Sequence, residues 1–270
     1  MTAQLTNKCI GFIGVGVMGS SLIKALLTTT FPANQICILD KSEEKANQVA
    51  TAHKVEKQSI SHMGQNCDVI FLAVKPQDLG DVLAELSQSL KSETLLISIA
   101  AGKSTKFIES KLSKKNPVVR VMPNTPAQIG KGVAAISGGL NVQPIHIELA
   151  KQLFAASGVV VEVPEENQDA VTALSGSGPA YFFYFIESMI KSGVQLGLTN
   201  EIATQLAIGT ITGSAAMLQE SGLDAATLRK NVTSPNGTTA AALAVFADKD
   251  LEKIISDAMA AARKRAQELA

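Results

Sequence analysis

The stretch CIGFIGVGVMGSSLIKALL, from Cys9 to Leu27, determines how the first part of the chain folds. Its opening residues, CIGFI, predict a short buried strand, and VMGSSLIKALL predicts a helix. The loop between them has the spacing G-x-G-x-x-G, which permits a tight turn, close approach of backbone to a pyrophosphate and close helix packing. The helix N-terminus then presents free N–H groups to the phosphates. We therefore expect a dinucleotide site that includes Gly14, Gly16, Val17, Met18 and Gly19.

Short apolar runs alternate with helical patterns through residues 1–164. Because the runs are continuous and rich in Val, Ile and Leu, they predict strands buried on both faces of a parallel sheet that helices cover. The runs are KCIGFIG, QICILD, CDVIFLAVKP, TLLISIAAG, PVVRVMPN, GVAAIS and GVVVEVP. The helical patterns lie at 17–29, 42–52, 78–90 and 144–156.

From residue 165 onward every pattern is helical, with helices predicted at 180–196, 201–220, 225–230, 239–246 and 251–269. Small residues between 207 and 216 permit close helix approach and favour an interlocked dimer. The predicted fold class is α/β. An N-terminal Rossmann-type dinucleotide-binding domain occupies residues 1–164, and an all-α dimerisation domain occupies residues 165–270.

Composition excludes several classes of partner. The 270 residues are 46% hydrophobic and 18% charged, with 24 basic and 24 acidic side chains in no long block of one sign. We expect a globular chain with a small-molecule partner and no binding to nucleic acid or membrane. The longest aromatic-aliphatic run, PAYFFYFI, falls short of the ~18 residues of a membrane span. The glycines of the first helix argue against a secretory signal, so we expect a cytoplasmic protein.

The three cysteines, Cys9, Cys37 and Cys67, are odd in number and widely spaced in apolar, strand-like surroundings. This usage is typical of reduced thiols in a cytoplasm. We expect no metal site.

Asp40 closes the second strand, where a carboxylate normally accepts a hydrogen bond from the ribose 2′-OH of NAD and repels a 2′-phosphate. Lys41 and Ser42 follow at once and favour a phosphate instead. Since the two signals conflict, we expect both cofactors to bind, with Asp40 turning away while Lys41, Ser42 and Lys45 surround the phosphate.

Two further loops, AVKPQ and RVMPNTPAQIGKG, and the strand end SIAAG lie where a doubly wound sheet binds ligands. The functional interpretation places them around the nicotinamide, and the alternative is ordinary turn chemistry, with Lys75 a solvated surface lysine and Asn124 a turn cap. The candidate residues are Ala73, Val74, Lys75, Pro76, Ala100 and Asn124.

Six motifs resemble those of pyrroline-5-carboxylate reductase, in the same order and spacing over almost the whole chain. They are GFIGVGVMG, LAVKPQ, SIAAGK, RVMPNTPAQIGKG, LSGSGPAYFF and VTSPNGTTAAAL. The resemblance implies a Rossmann-type domain and a helical domain that interleaves with a partner's in a homodimer, often within larger rings. It also implies reduction of L-1-pyrroline-5-carboxylate to L-proline with NADPH, or in many members NADH.

The last motif contains the implied substrate site. Pro235, Asn236 and Gly237 predict a tight turn, and the helix that follows offers N–H groups that lack intrahelical partners. By resemblance, Thr239 and Lys75 are catalytic, with the Thr239 hydroxyl near the ring nitrogen. The substrate-binding residues are Ser234, Gly237, Thr238 and Thr239. The alternative is a capped helix start without a ligand.

The chain departs from the family at Asn236, where the family usually has glycine. Asparagine is the non-glycine residue that best tolerates a left-handed backbone, so we expect the turn to persist.

The absence of histidine after His146 fits an imine substrate. An alcohol dehydrogenase needs a positioned base, whereas an iminium ion is already electrophilic and its product amine keeps its proton.

Two alternatives remain from the sequence. One is a β-hydroxyacid-type dehydrogenase, which would need a lysine early in the first long helix of the second domain, where none precedes Lys191. The other is a regulatory protein that senses a dinucleotide without turnover and would not need the segment from Ser234 to Thr239.

Overall fold

The computed structural model describes residues 7–269. Eight strands and twelve α-helices make up most of these residues. The strands are β1 (Ile10–Ile13), β2 (Ile36–Leu39), β3 (Glu56–Lys57), β4 (Val69–Leu72), β5 (Leu95–Ser98), β6 (Val118–Met122), β7 (Gly132–Gly138) and β8 (Gly158–Glu162). The helices are α1 (Val17–Thr28), α2 (Glu43–His53), α3 (Ile60–Asn66), α4 (Leu79–Leu86), α5 (Thr105–Ser110), α6 (Pro144–Ala155), α7 (Gln168–Val171), α8 (Gly178–Gln195), α9 (Asn200–Glu220), α10 (Ala225–Asn231), α11 (Thr238–Asp248) and α12 (Leu251–Glu268).

All eight strands belong to one sheet, in the order β3-β2-β1-β4-β5-β6-β7-β8. The chain begins at β1, extends the sheet first to β2 and β3, and then returns to β4 on the other side of β1. This reversal makes the carboxyl ends of β1 and β4 the topological switch point, which is where α/β sheets bind ligands. The α/β class and the Rossmann-type start of the chain are therefore confirmed.

Two apolar clusters cover the sheet because successive side chains of each strand point to opposite faces. Phe12 and Phe71 stack in the larger cluster with ring centroids 4.4 Å apart, and Phe154 of α6 tilts against Phe71 at 5.8 Å. Ile13 and Ile70 belong to the other cluster. The strands at the centre of the sheet are buried on both faces, as their continuous apolar runs predict.

One strand pair contradicts the expected parallel sheet, because β7 runs antiparallel to β6. A parallel neighbour requires a crossover connection, usually a helix. The connection from Met122 to Gly132 contains only the short 3₁₀ helix Thr125–Ile129, so the chain turns back directly.

The last apolar run, GVVVEVP, is also less buried than its composition predicts. It forms β8 at the edge of the sheet, where Val159 and Val161 remain 59% and 41% exposed while Val160 packs against the larger cluster. The sequence analysis missed β3, α3, α5 and α7, which are short and carry little apolar periodicity.

The chain divides into two compact units. One contains the described residues up to Ser177 together with those from Ala262 onward, and the other is Gly178–Ala261. The predicted domain boundary between residues 164 and 165 stays a prediction. In the first unit, the returning end of the chain lies close to Gly102, whose φ is +77° and where an added Cβ would lie 2.8 Å from the Leu269 carbonyl carbon.

The second unit is helical and lacks a core of its own. Only Gly178, Ala203 and Ala207 are buried in it. The aromatic side chains of α8 are largely exposed, among them Phe182, Phe183 and Tyr184. Monomeric proteins rarely expose a contiguous apolar surface of this kind, so the unit has the character of an association surface.

Within residues 7–269, no helix combines the length and the apolar character that crossing a lipid bilayer requires.

The Phe12–Phe71–Phe154 stack should be a main source of stability in the first unit. We predict that Phe71→Ala lowers the free energy of unfolding by about 3–5 kcal/mol, because a large buried ring leaves a cavity. Urea denaturation at fixed protein concentration measures the change. Leu140→Ala is the control, since Leu140 is 88% exposed and its truncation should change the free energy by less than about 0.5 kcal/mol. Equal effects of the two variants would contradict this account of the core.

Candidate dinucleotide and substrate sites

The glycine loop is held by close backbone packing. Gly14 has φ +97°, and an added Cβ would lie 2.5 Å from the carbonyl oxygen of Ala73. A Cβ on Gly19 would lie 2.4 Å from the carbonyl oxygen of Gly14, so α1 starts directly against the loop. A Cβ on Gly16, in contrast, would meet nothing within 4 Å. The loop is therefore fixed on its inner side and open at Gly16, where a pyrophosphate needs access to backbone N–H groups.

Asp40 is the second support of the loop. One carboxylate oxygen accepts from the N–H of Val15 at 2.8 Å, and the other accepts from the N–H of Ser42 at 2.9 Å. The carboxylate thus joins the glycine loop to the turn after β2. The expected movement of Asp40 away from the site stays a prediction, and it would leave two backbone N–H groups without their acceptor.

Lys41 and Ser42 directly follow Asp40. The ammonium group of Lys41 donates to Asp78 at 2.7 Å, and this hydrogen bond and the charge of Asp78 raise the pKa of Lys41. Ser42 caps α2 by accepting from the N–H of Lys45. Lys41 and Lys45 are exposed, so they add positive charge at the open end of the second strand.

The segment from Ala73 to Asp78, which follows β4, packs against the glycine loop. The N–H of Ala73 donates to Ile13 at 2.8 Å, and the N–H of Asp78 donates to the carbonyl of Lys75 at 3.0 Å, which closes a turn. Val74 and Pro76 are half-buried in this turn, while Lys75 is exposed. The segment reaches the same edge of the sheet as the glycine loop, as predicted, and the catalytic role of Lys75 stays a prediction.

Ala100 follows β5 at the same edge. It is buried, and its N–H donates to the hydroxyl of Ser98 at 3.3 Å.

Asn124 is a buried connector. Its side-chain oxygen accepts from the N–H of Val133 at 2.8 Å, and its amide nitrogen donates to the carbonyl of Ser175 at 3.2 Å. The side chain therefore joins β7 to the π-helical turn Thr172–Gly176. These contacts favour a positioning role over direct contact with a cofactor.

A buried ion cluster around Arg120 was not predicted from the sequence. This side chain on β6 lies 3.6 Å from Glu165 and 3.4 Å from Asp169, and Glu165 also accepts from both the N–H and the hydroxyl of Thr105. These ion pairs hold the segment after β8 against β6. An arginine inside the apolar run PVVRVM was the signal that could have revealed it, because a buried charge requires a partner.

In the second unit, the segment from Ser234 to Thr239 is the predicted turn. Asn236 has φ 56°, so it adopts the left-handed conformation that we expected it to tolerate. The N–H of Gly237 donates to Ser234 at 3.1 Å, and Gly237 is the N-cap of α11. The first N–H groups of α11, including those of Thr238 and Thr239, have no intrahelical acceptor. Thr239 is half-buried beside them.

Comparisons with known proteins give the family. Residues 165–269 match the family model described as pyrroline-5-carboxylate reductase dimerisation. Along 98% of its length the chain is 41% identical to the pyrroline-5-carboxylate reductase of Pseudomonas aeruginosa, of which it also covers 98%. The chain belongs to the pyrroline-5-carboxylate reductase family. Residues 9–102 also match a model described as NADP oxidoreductase, coenzyme F420-dependent, which agrees with a dinucleotide fold.

Solved structures of the reductase family have the same fold. The enzyme from Coxiella burnetii superposes with a TM-score of 0.91 at 36% identity, over 97% of this chain and 98% of that one. The enzyme from Plasmodium falciparum, solved with NADP bound, gives 0.88 at 32% identity over 98% of each chain. The resemblance stated from the six motifs is confirmed. The family's dimerisation region also accounts for the missing core of the second unit, so the reductase associates with itself.

The contacts of Asn124 lead to a stability prediction. Asn124→Ala removes the acceptor of the buried Val133 N–H, so the free energy of unfolding should fall by about 1–3 kcal/mol. Urea denaturation measures it, and Asn47→Ala on the exposed side of α2 is the matched control with little expected change. Unchanged stability together with weaker dinucleotide binding would instead make Asn124 a cofactor ligand.

Proposed function

We propose that this protein is an oxidoreductase that reduces L-1-pyrroline-5-carboxylate to L-proline with NADPH, the last step of proline biosynthesis. The observation that carries the proposal is the match to a named reductase at 41% identity over 98% of the chain. The fold supports this proposal. The glycine loop at the edge of the sheet offers free N–H groups to a dinucleotide, and the turn at the start of α11 offers free N–H groups to a carboxylate.

The residues of the glycine loop fit a dinucleotide. Gly16 leaves the loop backbone open, and α1 directs its N-terminus toward that opening. We assign the pyrophosphate to Gly14, Gly16, Val17, Met18 and Gly19, and the nicotinamide end to Ala73, Val74, Lys75, Pro76 and Ala100. NADPH supplies the hydride.

The contacts of Asp40 favour NADPH over NADH. Each oxygen of its carboxylate already accepts a backbone N–H, which fixes the orientation of the group and leaves fewer acceptor sites for the ribose hydroxyl that selects NAD. Lys41 and Ser42 then provide a cation and a hydroxyl for a 2′-phosphate, with Lys41 exchanging Asp78 for the phosphate. The Plasmodium falciparum enzyme has NADP bound, which supports this assignment. NADH, without the phosphate, binds through the glycine loop alone.

The substrate needs orientation more than acid-base catalysis. Its iminium carbon accepts hydride directly, and the ring nitrogen keeps the proton that it already carries, so no proton is removed during reduction. We assign the substrate carboxylate to Ser234, Gly237 and the N–H groups of Thr238 and Thr239. The Thr239 hydroxyl donates toward the ring and holds its orientation.

Self-association completes the functional protein. The exposed apolar faces of α8 and α9 support a homodimer, and an added Cβ on Gly209 or Gly213 would meet nothing within 4 Å in one chain. Both glycines thus leave room for a second copy. We further propose that dimers assemble into a larger ring and that the enzyme acts in the cytoplasm.

The direct test is an assay of the purified full chain with NADPH and the cyclic imine. Loss of NADPH absorbance should require the imine and should produce stoichiometric proline. If NADPH binds but is not consumed with the imine, the protein is a dinucleotide sensor. If it is consumed only with a β-keto acid, the protein is a dehydrogenase of the β-hydroxyacid type.

Asp40 and Lys41 are predicted to affect the cofactors differently. Asp40→Ala should weaken NADPH and NADH binding alike, by about 10-fold, because it removes the acceptor that holds Val15. Lys41→Ala should weaken NADPH by a similar factor and leave NADH binding within about twofold. Fluorescence titration of each variant with each cofactor measures the four constants. Tighter NADPH binding by Asp40→Ala would show that the carboxylate repels the 2′-phosphate.

Thr239 is predicted to act on the substrate and not on the cofactor. Thr239→Ala should lower kcat/KM for the imine on the order of 10²-fold, the usual effect of removing one preorganised donor, with unchanged NADPH binding. Thr51→Ala, an exposed helical threonine of the first unit, is the control for substitution itself. A parallel loss of NADPH affinity would remove Thr239 from the substrate site.

A further inference from the structure

The fold brings all three cysteines of the chain into one cluster. The Sγ atoms of Cys9 and Cys37 each lie 3.4 Å from the Sγ of Cys67. All three sulfur atoms lie within 4.8 Å of one another. Cys37 and Cys67 are buried and Cys9 is half-buried. Cysteines that stand 28 and 30 positions apart therefore form a single thiol group.

The cluster lies at the opposite end of the strands from the glycine loop. Cys9 directly precedes β1, Cys37 is the second residue of β2, and Cys67 stands just before β4. The same three strands carry Gly14, Asp40 and Ala73 at their carboxyl ends. At about 3.3 Å per residue, a four-residue strand separates the two regions by roughly 13 Å, so the thiols do not belong to the dinucleotide site.

Gly11 makes room for the sulfur atoms. It lies in β1, where its φ does not require glycine, yet an added Cβ would lie 3.1 Å from the Sγ of Cys67 and 3.3 Å from the Sδ of Met63. The absence of a side chain thus leaves space for a thioether and a thiol above the strand. Three thiols and one thioether converge on this face of the sheet.

We propose that Cys9, Cys37 and Cys67 bind one Cu(I) ion. Soft thiolate ligands select Cu(I), zinc or iron–sulfur clusters, and a structural zinc ion requires four ligands. Among residues 7–269, the group of mutually close ligand atoms contains no His, Asp or Glu that would supply the fourth. Metal–thiolate bonds of about 2.3 Å place three sulfur atoms about 4 Å apart around a central ion. Two of the sulfur–sulfur distances here are 3.4 Å and the third is within 4.8 Å, so small side-chain shifts are enough to form the site.

Binding is a ligand exchange without a change of oxidation state. Each thiol that binds forms an S–Cu bond and releases its proton to solvent, while the copper leaves the ligand that delivered it. Cys9 gives access because it is half-buried, and Cys37 and Cys67 then bury the ion.

Anaerobic competition with bicinchoninate tests the proposal on the reduced full-length protein. Cu(I) alone is the probe. The protein should withdraw one equivalent of Cu(I) from the coloured chelator complex, gain a thiolate-to-copper absorption in the near ultraviolet, and unfold at a higher temperature with copper than without it.

Four variants separate ligation from folding. Cys9→Ser, Cys37→Ala and Cys67→Ala should each weaken Cu(I) binding by at least about 100-fold, since even second-layer partners of a metal contribute 10- to 100-fold. Met63→Leu, a volume-conserving change beside the cluster, should keep binding within about 10-fold because all three thiols remain. NADPH titration verifies that each variant is folded, and the distance of the cluster from the glycine loop predicts unchanged affinity.

Three results would overturn the proposal. The copper could stay with bicinchoninate, which would make the cysteines ordinary core residues. Copper binding could survive in all three cysteine variants, which would place it elsewhere. The thiols could also titrate as a disulfide in freshly reduced protein that folds normally, which would assign the cluster to redox chemistry instead.

Discussion

The approach of Gly14 to the backbone of Ala73 is the contact on which the rest of the first unit depends. It brings the ends of β1 and β4 so close that only glycine fits, and Gly19 then brings α1 against the same turn. Asp40 adds the end of β2 by accepting the N–H of Val15. Three strands therefore hold one loop, and the loop can present its backbone to an anion without first being ordered by it, which lowers the entropy lost on binding.

The second unit is stabilised differently, because its helices cannot bury their apolar side chains within one chain. Self-association covers these side chains, and the segment from Ser234 to Thr239, which we propose binds the substrate, belongs to this unit. Asn236 adopts the left-handed backbone conformation, which is unfavourable by about 1–2 kcal/mol for most residues other than glycine. The turn before α11 therefore forms with asparagine at this position.

The sequence predicted most of this architecture, and its errors have identifiable causes. Long apolar runs and the glycine spacing marked seven strands and the main helices, because burial and periodicity are local signals. The direction of β7 depended on a connection too short for a crossover, which the apolar runs do not report. The contacts of Asp40 and Asn124 with backbone N–H groups, the Arg120 cluster and the convergence of three cysteines arise from tertiary packing between distant segments. Asp40, a residue type typical of ribose binding, also accepts hydrogen bonds from the backbone of the loop.

A crystal structure of the protein with NADPH bound would show whether Asp40 keeps its hold on the glycine loop. We expect the pyrophosphate to lie over Gly16 and the 2′-phosphate to lie near Lys41. Both oxygens of Asp40 should still accept from the N–H groups of Val15 and Ser42. An Asp40 carboxylate turned onto the ribose, with the Val15 N–H released, would contradict this expectation.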